Sequence, residues 1–320
     1  MTENFKSDVI KGLSGLPKSL PSKYFYDEEG SRIFQEIMNL PEYYLSQCEN
    51  EIFEHQGLDI IRAFVNGAPR IRIIDLGAGD GIKTKLLIQA CYKLGIEPVY
   101  TPIDISAEAI RVVRENMKDE FPELEIDAVC ADYYQALDQL ENSEDEMPKL
   151  ILFLGSNIGN YSDAGSILFL KELSSRCHIQ DALLVGFDLK KDPRVILAAY
   201  NDSQKVTKRF NLNLLQRMNR ELGADFNDEK FDHYENYDPI EGSAKSYIIS
   251  NCDQLVRFKE IDQEFQFTQG ESVYVEMSRK YDFDDIAHFA NMTGFDQPRH
   301  FTDRKIYFSD SLFKKIGLRK

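Results

Sequence analysis

From about residue 50 the chain alternates apolar, strand-like segments with amphipathic helical patterns, and this alternation constrains the fold more than any other feature. Apolar runs at 70–77 and 97–106 are each followed by helical periodicity, at 83–95 and 107–121. Strands that are joined by helices form parallel sheets covered on both faces. We therefore predict an α/β fold built on a doubly wound parallel sheet.

The same pattern continues to about residue 190. The segments EIDAVCADY, KLILFLGS and DALLVGFDL supply three more predicted strands, separated by helical patterns at about 134–141 and 164–176. Beyond Asp188 the rhythm changes to long polar helical patterns and then to the alternating segments SAKSYIIS and LVRFKEI, which are typical of strands. We interpret residues 190–270 as an inserted region.

In the last part of the chain we predict a return to the alternation of strands and helices. SVYVEMSRKYDFDDIAHFANMTGF reads as a strand and a helix ending at Gly294, and HFTDRKIYFSDSLFKK as a final hairpin. We therefore predict two domains. A doubly wound, cofactor-binding domain spans 48–190 and 279–320, and a smaller α+β substrate-binding domain spans 1–47 and 191–278.

Composition narrows the class of protein. The chain has 320 residues, 42% of them hydrophobic, which is enough for a sizeable core. No apolar run approaches the roughly 20 residues of a membrane helix, so we expect a cytoplasmic protein with no membrane contact. The net charge of −16 disfavours a nucleic-acid partner. The five cysteines and five histidines do not show the spacing of metal ligands, so we expect no bound metal. We also expect the protein to be a monomer.

The sharpest local motif is IIDLGAGDGIKT, at 73–84, which follows a predicted strand and precedes a predicted helix. Asp75, Gly77, Gly79 and Gly81 form the pattern DxGxGxG. Glycines there let the backbone turn tightly and approach a ligand that side chains would block. The spacing is neither GxGxxG nor that of a P-loop, so dinucleotide and nucleoside-triphosphate readings are weaker.

Two further acids follow the next strands. Asp104, at the end of EPVYTPIDIS, suits hydrogen bonds from a ribose diol. Asp132, which ends the following strand beside Tyr133, suits an adenine amino group with the aromatic ring nearby. Each acid alone is equally compatible with a helix cap or a turn. In this order, at successive strand ends, they favour a ligand with ribose and adenine but no phosphates.

This set resembles the class I methyltransferases, which use S-adenosylmethionine and release S-adenosylhomocysteine. Asp75 to Gly81 match their first motif, Asp104 matches their ribose acid and Asp132 their adenine acid. The resemblance implies the cofactor more firmly than the acceptor, because the fold hosts many acceptors.

Neutral polar groups follow the fourth strand, in ILFLGSNIGN. Amides and hydroxyls orient an unprotonated amine, whereas a nearby carboxylate would favour the unreactive ammonium form. Acceptors lie at strand ends in doubly wound sheets. We therefore expect Asn160 to contact the acceptor, with Ser156 and Asn157 shaping the turn. The alternative is that Gly159 and Asn160 are only turn formers.

The N-terminal region is rich in tyrosine, at Tyr24, Tyr26, Tyr43 and Tyr44. These rings are either ordinary core aromatics or part of a site, because tyrosine faces hold a methylated ammonium and tyrosine hydroxyls bind a carboxylate.

A narrower resemblance covers nearly the whole chain. PKSLPSKYFYDEEGSRIFQEI, LPEYY, LFLGSNIGN, FDLKKDP, AAYND, FNLNLLQRMNRELGADF and VEMSRKY occur in the order typical of the histidine-specific methyltransferase family of ergothioneine biosynthesis. The family trimethylates the α-amino group of L-histidine to hercynine, so the resemblance implies a free amino acid as substrate.

The same resemblance implies roles for individual residues. For the substrate, Tyr26 and Asn160 hold the amine, Tyr43 and Tyr200 the carboxylate, and Glu276 with Ser278 the imidazole. For the cofactor it adds Lys83 and Tyr133 to the glycine loop and acids. The segment 240–250 departs from the family, with the small Ser246 where a bulkier apolar wall is expected.

Two alternatives remain open at this point. The acceptor could be another aromatic amino acid or amine, such as tryptophan, since the divergent segment leaves the pocket shape undefined. A cofactor-binding sensor without chemistry is the non-enzymatic alternative, and turnover of an amino acid would distinguish it.

Overall fold

The computed structural model describes residues 2–133, 135, 136, 138 and 147–316. Its backbone contacts divide the chain into two compact units. Unit 1 consists of Met1–Ser46 and Lys191–Arg279, and unit 2 of Gln47–Lys190 and Lys280–Lys320. These boundaries differ from the predicted domain boundaries by one residue at two of the three junctions. The binding role of each domain stays a prediction.

The helices of the described residues are α1 (Thr2–Ser14), α2 (Glu28–Met38), α3 (Tyr44–Phe64), α4 (Ile82–Lys93), α5 (Ala107–Glu120), α6 (Asp163–Arg176), α7 (Pro193–Tyr200), α8 (Val206–Leu222) and α9 (Phe283–Thr293). The strands are β1 (Lys18–Ser19), β2 (Arg70–Leu76), β3 (Glu97–Asp104), β4 (Glu125–Ile126), β5 (Val129–Cys130), β6 (Lys149–Phe153), β7 (Ala182–Asp188), β8 (Phe231–Asp238), β9 (Ser243–Ser250), β10 (Gln254–Phe258), β11 (Gln263–Phe267), β12 (Ser272–Arg279), β13 (Arg299–Thr302) and β14 (Phe308–Lys314).

Unit 2 contains one sheet in the order β13-β14-β7-β6-β2-β3-β4, with β5 also paired to β3. Strands β2 to β7 pair with one another in parallel, whereas β14 is antiparallel to both β7 and β13. The strand order reverses between β2 and β6, and ligands of doubly wound sheets bind beside such a reversal. The predicted doubly wound α/β fold is confirmed.

Local sequence signals explain the helices that flank this sheet. In α5, Ser106 caps the first turn by accepting from the Ala109 amide, and Ile110, Val113 and Met117 form the buried face. Helix α9 begins with a capping box and ends at Gly294, whose φ is 82°.

Unit 1 is built on a second sheet in the order β1-β12-β9-β8. Strand β9 is antiparallel to both neighbours, and β1 is parallel to β12. Helices α7 and α8 contact β8, and α2 packs on α8. Strands β10 and β11 form a separate antiparallel hairpin with Val256, Phe258, Phe265 and Phe267 on its buried face.

The expectation that SVYVEMSRKY resumes the parallel pattern is wrong. This segment is β12, which pairs with β9 and β1 in the sheet of unit 1. Its alternation of buried and half-buried residues is that of a strand with two unlike faces, rather than of the fully buried strands in unit 2. The strand predicted in EIDAVCADY is also shorter, because only the two residue pairs of β4 and β5 are extended.

Most of the helix predicted at 134–141 lies outside the described residues. In the part of the chain that is described, no helix combines the length and the apolar character needed to cross a membrane.

Candidate active site

The glycine loop joins the end of β2 to the start of α4. Gly77, Gly79 and Gly81 all have positive φ angles, of 76°, 56° and 71°. Two of them also leave no room for a side chain. A Cβ atom on Gly81 would lie 2.5 Å from Val113 Cγ2, and one on Gly77 would lie 2.8 Å from the Tyr133 hydroxyl. The loop therefore presents backbone at the reversal of the sheet, as a ligand with a bulky nucleoside requires.

Asp75 lies beneath this loop and is almost fully buried. One of its oxygens accepts hydrogen bonds from the Thr84 hydroxyl at 2.6 Å and the Tyr100 hydroxyl at 2.9 Å. Burial raises the pKa of the Asp75 carboxyl to about 6, although these hydrogen bonds oppose the shift. Asp75 thus ties β2 to α4 and β3, and this position shows a structural task beside the predicted cofactor role.

Asp104 ends β3 and is half-buried beside the same loop. Its Oδ1 accepts from the Ser106 amide at 2.9 Å, and its Oδ2 lies 3.4 Å from the Gly79 amide nitrogen. Burial raises the pKa of the Asp104 carboxyl. The structure therefore brings Asp104 and the glycine loop together, as the sequence predicts.

The third element of the predicted cofactor set follows β5. Tyr133 packs edge-on against Phe153, with ring centroids 5.8 Å apart, and its hydroxyl points at Gly77. Asp132 is exposed and accepts from the Gln135 amide at 3.0 Å, which is the geometry of a helix cap. Its proposed contact with adenine stays a prediction.

Lys83 lies in the first turn of α4 and donates to Glu49, a fully buried residue of α3. The other oxygen of Glu49 accepts from the Gly155 amide at 2.8 Å. Gly155 belongs to the loop that follows β6, so Glu49 links the two strand ends that flank the reversal of the sheet. Sequence reasoning missed Glu49, although it lies on the apolar face of α3 with Leu45, Ile52 and Phe53.

The SNIGN segment forms a compact turn after β6. Ser156 has a φ of 60°, and its hydroxyl accepts from the Asp188 amide at 3.2 Å. Residues Asn157–Asn160 form a 3-10 turn whose Ile158 carbonyl accepts from the Tyr281 hydroxyl at 3.1 Å. Asn160, the last residue of this turn, is exposed. This arrangement agrees with the interpretation that Ser156 shapes the turn, and it leaves the side chain of Asn160 accessible to a ligand.

A buried ion pair supports the same end of the sheet. The Lys280 ammonium lies 2.8 Å from an Asp188 carboxylate oxygen, and both side chains are fully buried. Asp188 ends β7, and its backbone amide holds Ser156. Loss of one partner of such a pair leaves an uncompensated buried charge. Sequence reasoning missed this pair, for which the chain offers no local signal.

Unit 1 carries the remaining predicted residues. Tyr200, the last residue of α7, donates to the Ser278 hydroxyl of β12 at 2.7 Å. Its backbone carbonyl lies 3.0 Å from His233 Nε2 on β8. Both hydroxyls are largely buried, so Tyr200 and Ser278 form one polar group at the interface of helix and sheet.

Glu276 lies on the same face of β12 as Ser278, directly after a β-bulge that shifts the register between Tyr274 and Glu276. It pairs across the sheet with Ser246 of β9, which pairs with Glu235 of β8. The Ser246 hydroxyl donates to Glu235 at 2.5 Å. The predicted imidazole residues thus stand beside a second carboxylate, and the expected apolar wall is replaced by a polar row.

Tyr26 and Tyr43 meet a shared aromatic neighbour. Tyr26 packs edge-on against Phe34 and Phe210, each with ring centroids 5.5 Å apart, and Tyr43 packs edge-on against Phe34 at 6.1 Å. Tyr26 is 40% exposed, whereas Tyr43 is buried. Asp27 caps α2 immediately after Tyr26 and fixes the chain there. Of the other two tyrosines, Tyr24 and Tyr44 are buried.

Comparison with known proteins agrees with this geometry. Residues 5–315 match the family described as histidine-specific methyltransferase, SAM-dependent. This chain belongs to that family.

Two relatives of the methyltransferase cover nearly its whole length. It is 35% identical over 301 residues to the histidine N-alpha-methyltransferase of Mycolicibacterium smegmatis, which spans 94% of this chain and 92% of the relative. It is 33% identical over 310 residues to the enzyme of that name from Mycobacterium tuberculosis, covering 97% of this chain and 94% of the relative. The 4-dimethylallyltryptophan N-methyltransferase of Claviceps fusiformis is 29% identical over 63% of this chain and 58% of its own.

The residues of unit 2 fit the S-adenosylmethionine that this family uses. The glycine loop exposes backbone where a side chain would clash, and the half-buried Asp104 carboxylate stands beside it. Such a set suits an adenosine group without phosphates.

Proposed function

We propose that this methyltransferase acts on the α-amino nitrogen of free L-histidine and adds three methyl groups in succession, giving hercynine and S-adenosylhomocysteine. The observation that carries the proposal is the polar face of β12. There Glu276 and Ser278 stand two residues apart on one side of the strand, and Ser278 is bonded to Tyr200.

Recognition of the ring follows from this pair. A carboxylate accepts from one imidazole nitrogen and a hydroxyl bonds the other, so Glu276 and Ser278 match both polar atoms of histidine. An apolar side chain of similar size would displace water from these polar groups without bonding to them and would be rejected.

We assign the amino-acid backbone to neutral groups. Tyr43 and Tyr200 supply hydroxyl donors for the substrate carboxylate, the Tyr200 hydroxyl turning its hydrogen from Ser278 to the substrate, and Tyr26 and Asn160 orient the amine. Because neither of the latter is charged, they do not favour the ammonium form, and the nitrogen lone pair stays free for attack.

S-adenosylmethionine supplies the methyl group as a sulfonium, which an amine displaces in line. The protein's work is therefore to align the amine and to exclude water. The amine releases its proton to water or through the Tyr26 hydroxyl.

The test is mass spectrometry of purified protein incubated with S-adenosylmethionine and each of the 20 amino acids. Gains of one, two and three methyl groups on histidine alone support the proposal. Turnover of a different amino acid would contradict it. Cofactor binding without turnover of any amino acid would favour the sensor alternative.

Tryptophan or a related aromatic amine is the second candidate acceptor. It is favoured by the likeness to a 4-dimethylallyltryptophan N-methyltransferase and by the small Ser246. The polar row argues against it, because Glu235 and Ser246 would face an indole, which has a single N–H donor and no acceptor. Competition between histidine and tryptophan in one reaction distinguishes the two.

We also infer that the enzyme works as a cytoplasmic monomer on a free amino acid rather than on a macromolecule. The net charge of −16 supports the exclusion of nucleic acid. Sedimentation velocity at micromolar concentration would reveal a dimer if the inference is wrong.

A further inference from the structure

Three ionisable side chains meet beneath the cofactor side of unit 2: Glu49, Lys83 and Asp310. Glu49 and Asp310 are fully buried, and a quarter of the Lys83 side chain is exposed. Glu49 comes from α3, Lys83 from the first turn of α4 and Asp310 from β14. Three separate elements therefore bring charge to one interior point, at a cost that an apolar core would not carry.

The backbone makes room for the central carboxylate. A Cβ atom on Gly186 would lie 2.7 Å from a Glu49 oxygen, so a side chain at this position of β7 would push the Glu49 carboxylate from its place. Glycine inside a strand is otherwise unfavourable and commonly marks a close approach of another group. The same Glu49 oxygen accepts from the Gly155 amide, as described above.

Asp310 is the neighbour of Glu49 and needs a proton. Neither of its oxygens receives a hydrogen bond from the residues that the structure describes, and its contact is with another carboxyl group. Burial and the charge of Glu49 raise the pKa of Asp310 well above its ordinary value. Two neighbouring buried carboxyls do not readily both ionise, so the raised pKa favours the protonated form of Asp310 beside Glu49.

The charge balance then favours an anionic ligand at Lys83. The charges of Glu49 and Lys83 cancel, and a neutral Asp310 adds no charge to the cluster. With both carboxyls ionised, the cluster would carry one negative charge and would repel an anion. S-adenosylmethionine has a single anionic group, the carboxylate of its amino-acid end, and this is the group that a lysine would meet.

We propose that Glu49 and protonated Asp310 are positioning residues that hold Lys83 for the carboxylate of S-adenosylmethionine. Glu49 also fixes the Gly155 amide, so one carboxylate sets both strand ends beside the reversal of the sheet. The inference rests on the cofactor role proposed for Lys83.

The experiment compares two ligands that differ by one group. Calorimetry measures the binding of S-adenosylhomocysteine and of its decarboxylated analogue, which keeps the amine but lacks the carboxylate. In Glu49→Gln we expect S-adenosylhomocysteine to bind about tenfold more weakly, because the loss of the anchor of Lys83 and of the Gly155 contact outweighs the gain of one positive charge at the cluster. The decarboxylated analogue should change by less than about twofold.

Asp310→Asn is the matched variant, since its amide has nearly the same size as the carboxyl group and is always neutral. We expect S-adenosylhomocysteine affinity within about twofold of the wild type between about pH 6 and 9. If Asp310 were ionised in the native protein, this substitution would remove a negative charge and tighten binding by more than about threefold, which would overturn the proposal.

Lys83→Met separates failure of the inference from failure of the proposed cofactor role. If Lys83→Met changes the affinities of both ligands by the same factor, Lys83 does not bind the carboxylate. Selective loss in Lys83→Met without selective loss in Glu49→Gln would overturn only the inference. An equal loss of both ligands in Glu49→Gln would show a purely structural role. If Glu49→Gln does not fold, Asp310→Asn decides by the criterion above.

Discussion

The two units offer a ligand different parts of the chain. In unit 2 the candidate cofactor site is mostly backbone, since three glycines with positive φ bring the loop after β2 close to Asp104 and Tyr133. In unit 1 the candidate acceptor site is side chain, with Tyr200, Ser278 and Glu276 contributed by α7 and β12. A site built from backbone tolerates few substitutions, because they change the path of the chain. A site built from side chains can be adapted to a new acceptor by substituting those side chains.

The largest effect should come from crowding the backbone site. Gly81→Ala places a Cβ atom 2.5 Å from Val113 and 2.8 Å from Met117, at a φ of 71°. We expect a loss of about 3 kcal/mol in the free energy of unfolding and no measurable binding of S-adenosylhomocysteine.

Gly79→Ala is the matched control for that substitution. Gly79 also has a positive φ, of 56°, but nothing lies within 4 Å of its added Cβ atom. We expect a loss of only about 1 kcal/mol in urea denaturation. Equal losses in the two variants would mean that strain alone, and not close packing on α5, governs the loop.

The next largest effect should be confined to the acceptor. Glu276→Ala removes the carboxylate proposed for the imidazole, so we expect kcat/KM for histidine to fall about 100-fold. Affinity for S-adenosylhomocysteine should change by less than about twofold. Glu264→Ala, at an exposed position of β11, should alter neither quantity. Unchanged histidine kinetics in Glu276→Ala would remove this residue from the site.

A smaller effect should expose the carboxylate contact. Tyr200→Phe removes the hydroxyl that donates to Ser278, and we expect kcat/KM for histidine to fall about tenfold. Histamine lacks a carboxylate, so it should be a poor substrate and should lose less activity than histidine on this substitution, through the Ser278 contact alone. Tyr234→Phe, at an exposed tyrosine of β8, is the control. Equal losses with both substrates would argue that Tyr200 only packs against β12.

The smallest effect on binding should follow Asp75→Asn, because Asp75 faces the interior. Its folded pKa of about 6 exceeds the ordinary 3.8, so its contribution to stability is full below the ordinary value and is lost as pH rises through about 6. Wild type should therefore lose up to about 3 kcal/mol relative to Asp75→Asn between about pH 4 and 7.

Urea denaturation of both proteins across that pH range measures the difference in their free energies of unfolding. The contributions of the other titrating groups cancel in this difference. Affinity for S-adenosylhomocysteine should stay within about threefold. A parallel pH dependence in the two proteins would contradict the burial argument for Asp75.

The strands and loop of unit 2 could be predicted because their signals are local. RIRIIDLG and KLILFLGS are continuous apolar runs, and the glycine spacing directly follows one of them. In unit 1, the sequence does not predict β8 because FDHYENYD is too polar to read as a strand, and the predicted return of the parallel pattern at β12 is wrong because pairing partners are not encoded locally.

Single polar residues on the buried faces of strands mark places where a buried partner is needed. Asp310 shares a strand face with Phe308 and Leu312, and Ser246 shares one with Ala244 and Ile248. A buried polar residue is costly unless a partner compensates its charge or hydrogen bonds. The partner of Asp310 is Glu49, which lies far away in the sequence, and the partner of Ser246 is Glu235, which lies on the neighbouring strand β8. Resemblance to the family supplied Glu276 and Tyr200, which no local pattern marks.

The central claim is that unit 1 selects histidine so that its α-amino nitrogen receives the methyl group. It is tested most directly by NMR of a reaction with methyl-13C S-adenosylmethionine and histidine labelled with 15N at the α-amino group. We predict carbon–nitrogen coupling from the transferred methyl groups to the α-nitrogen, reaching three methyl groups per histidine. Methyl signals without that coupling would place the methyl on the ring and would contradict the account.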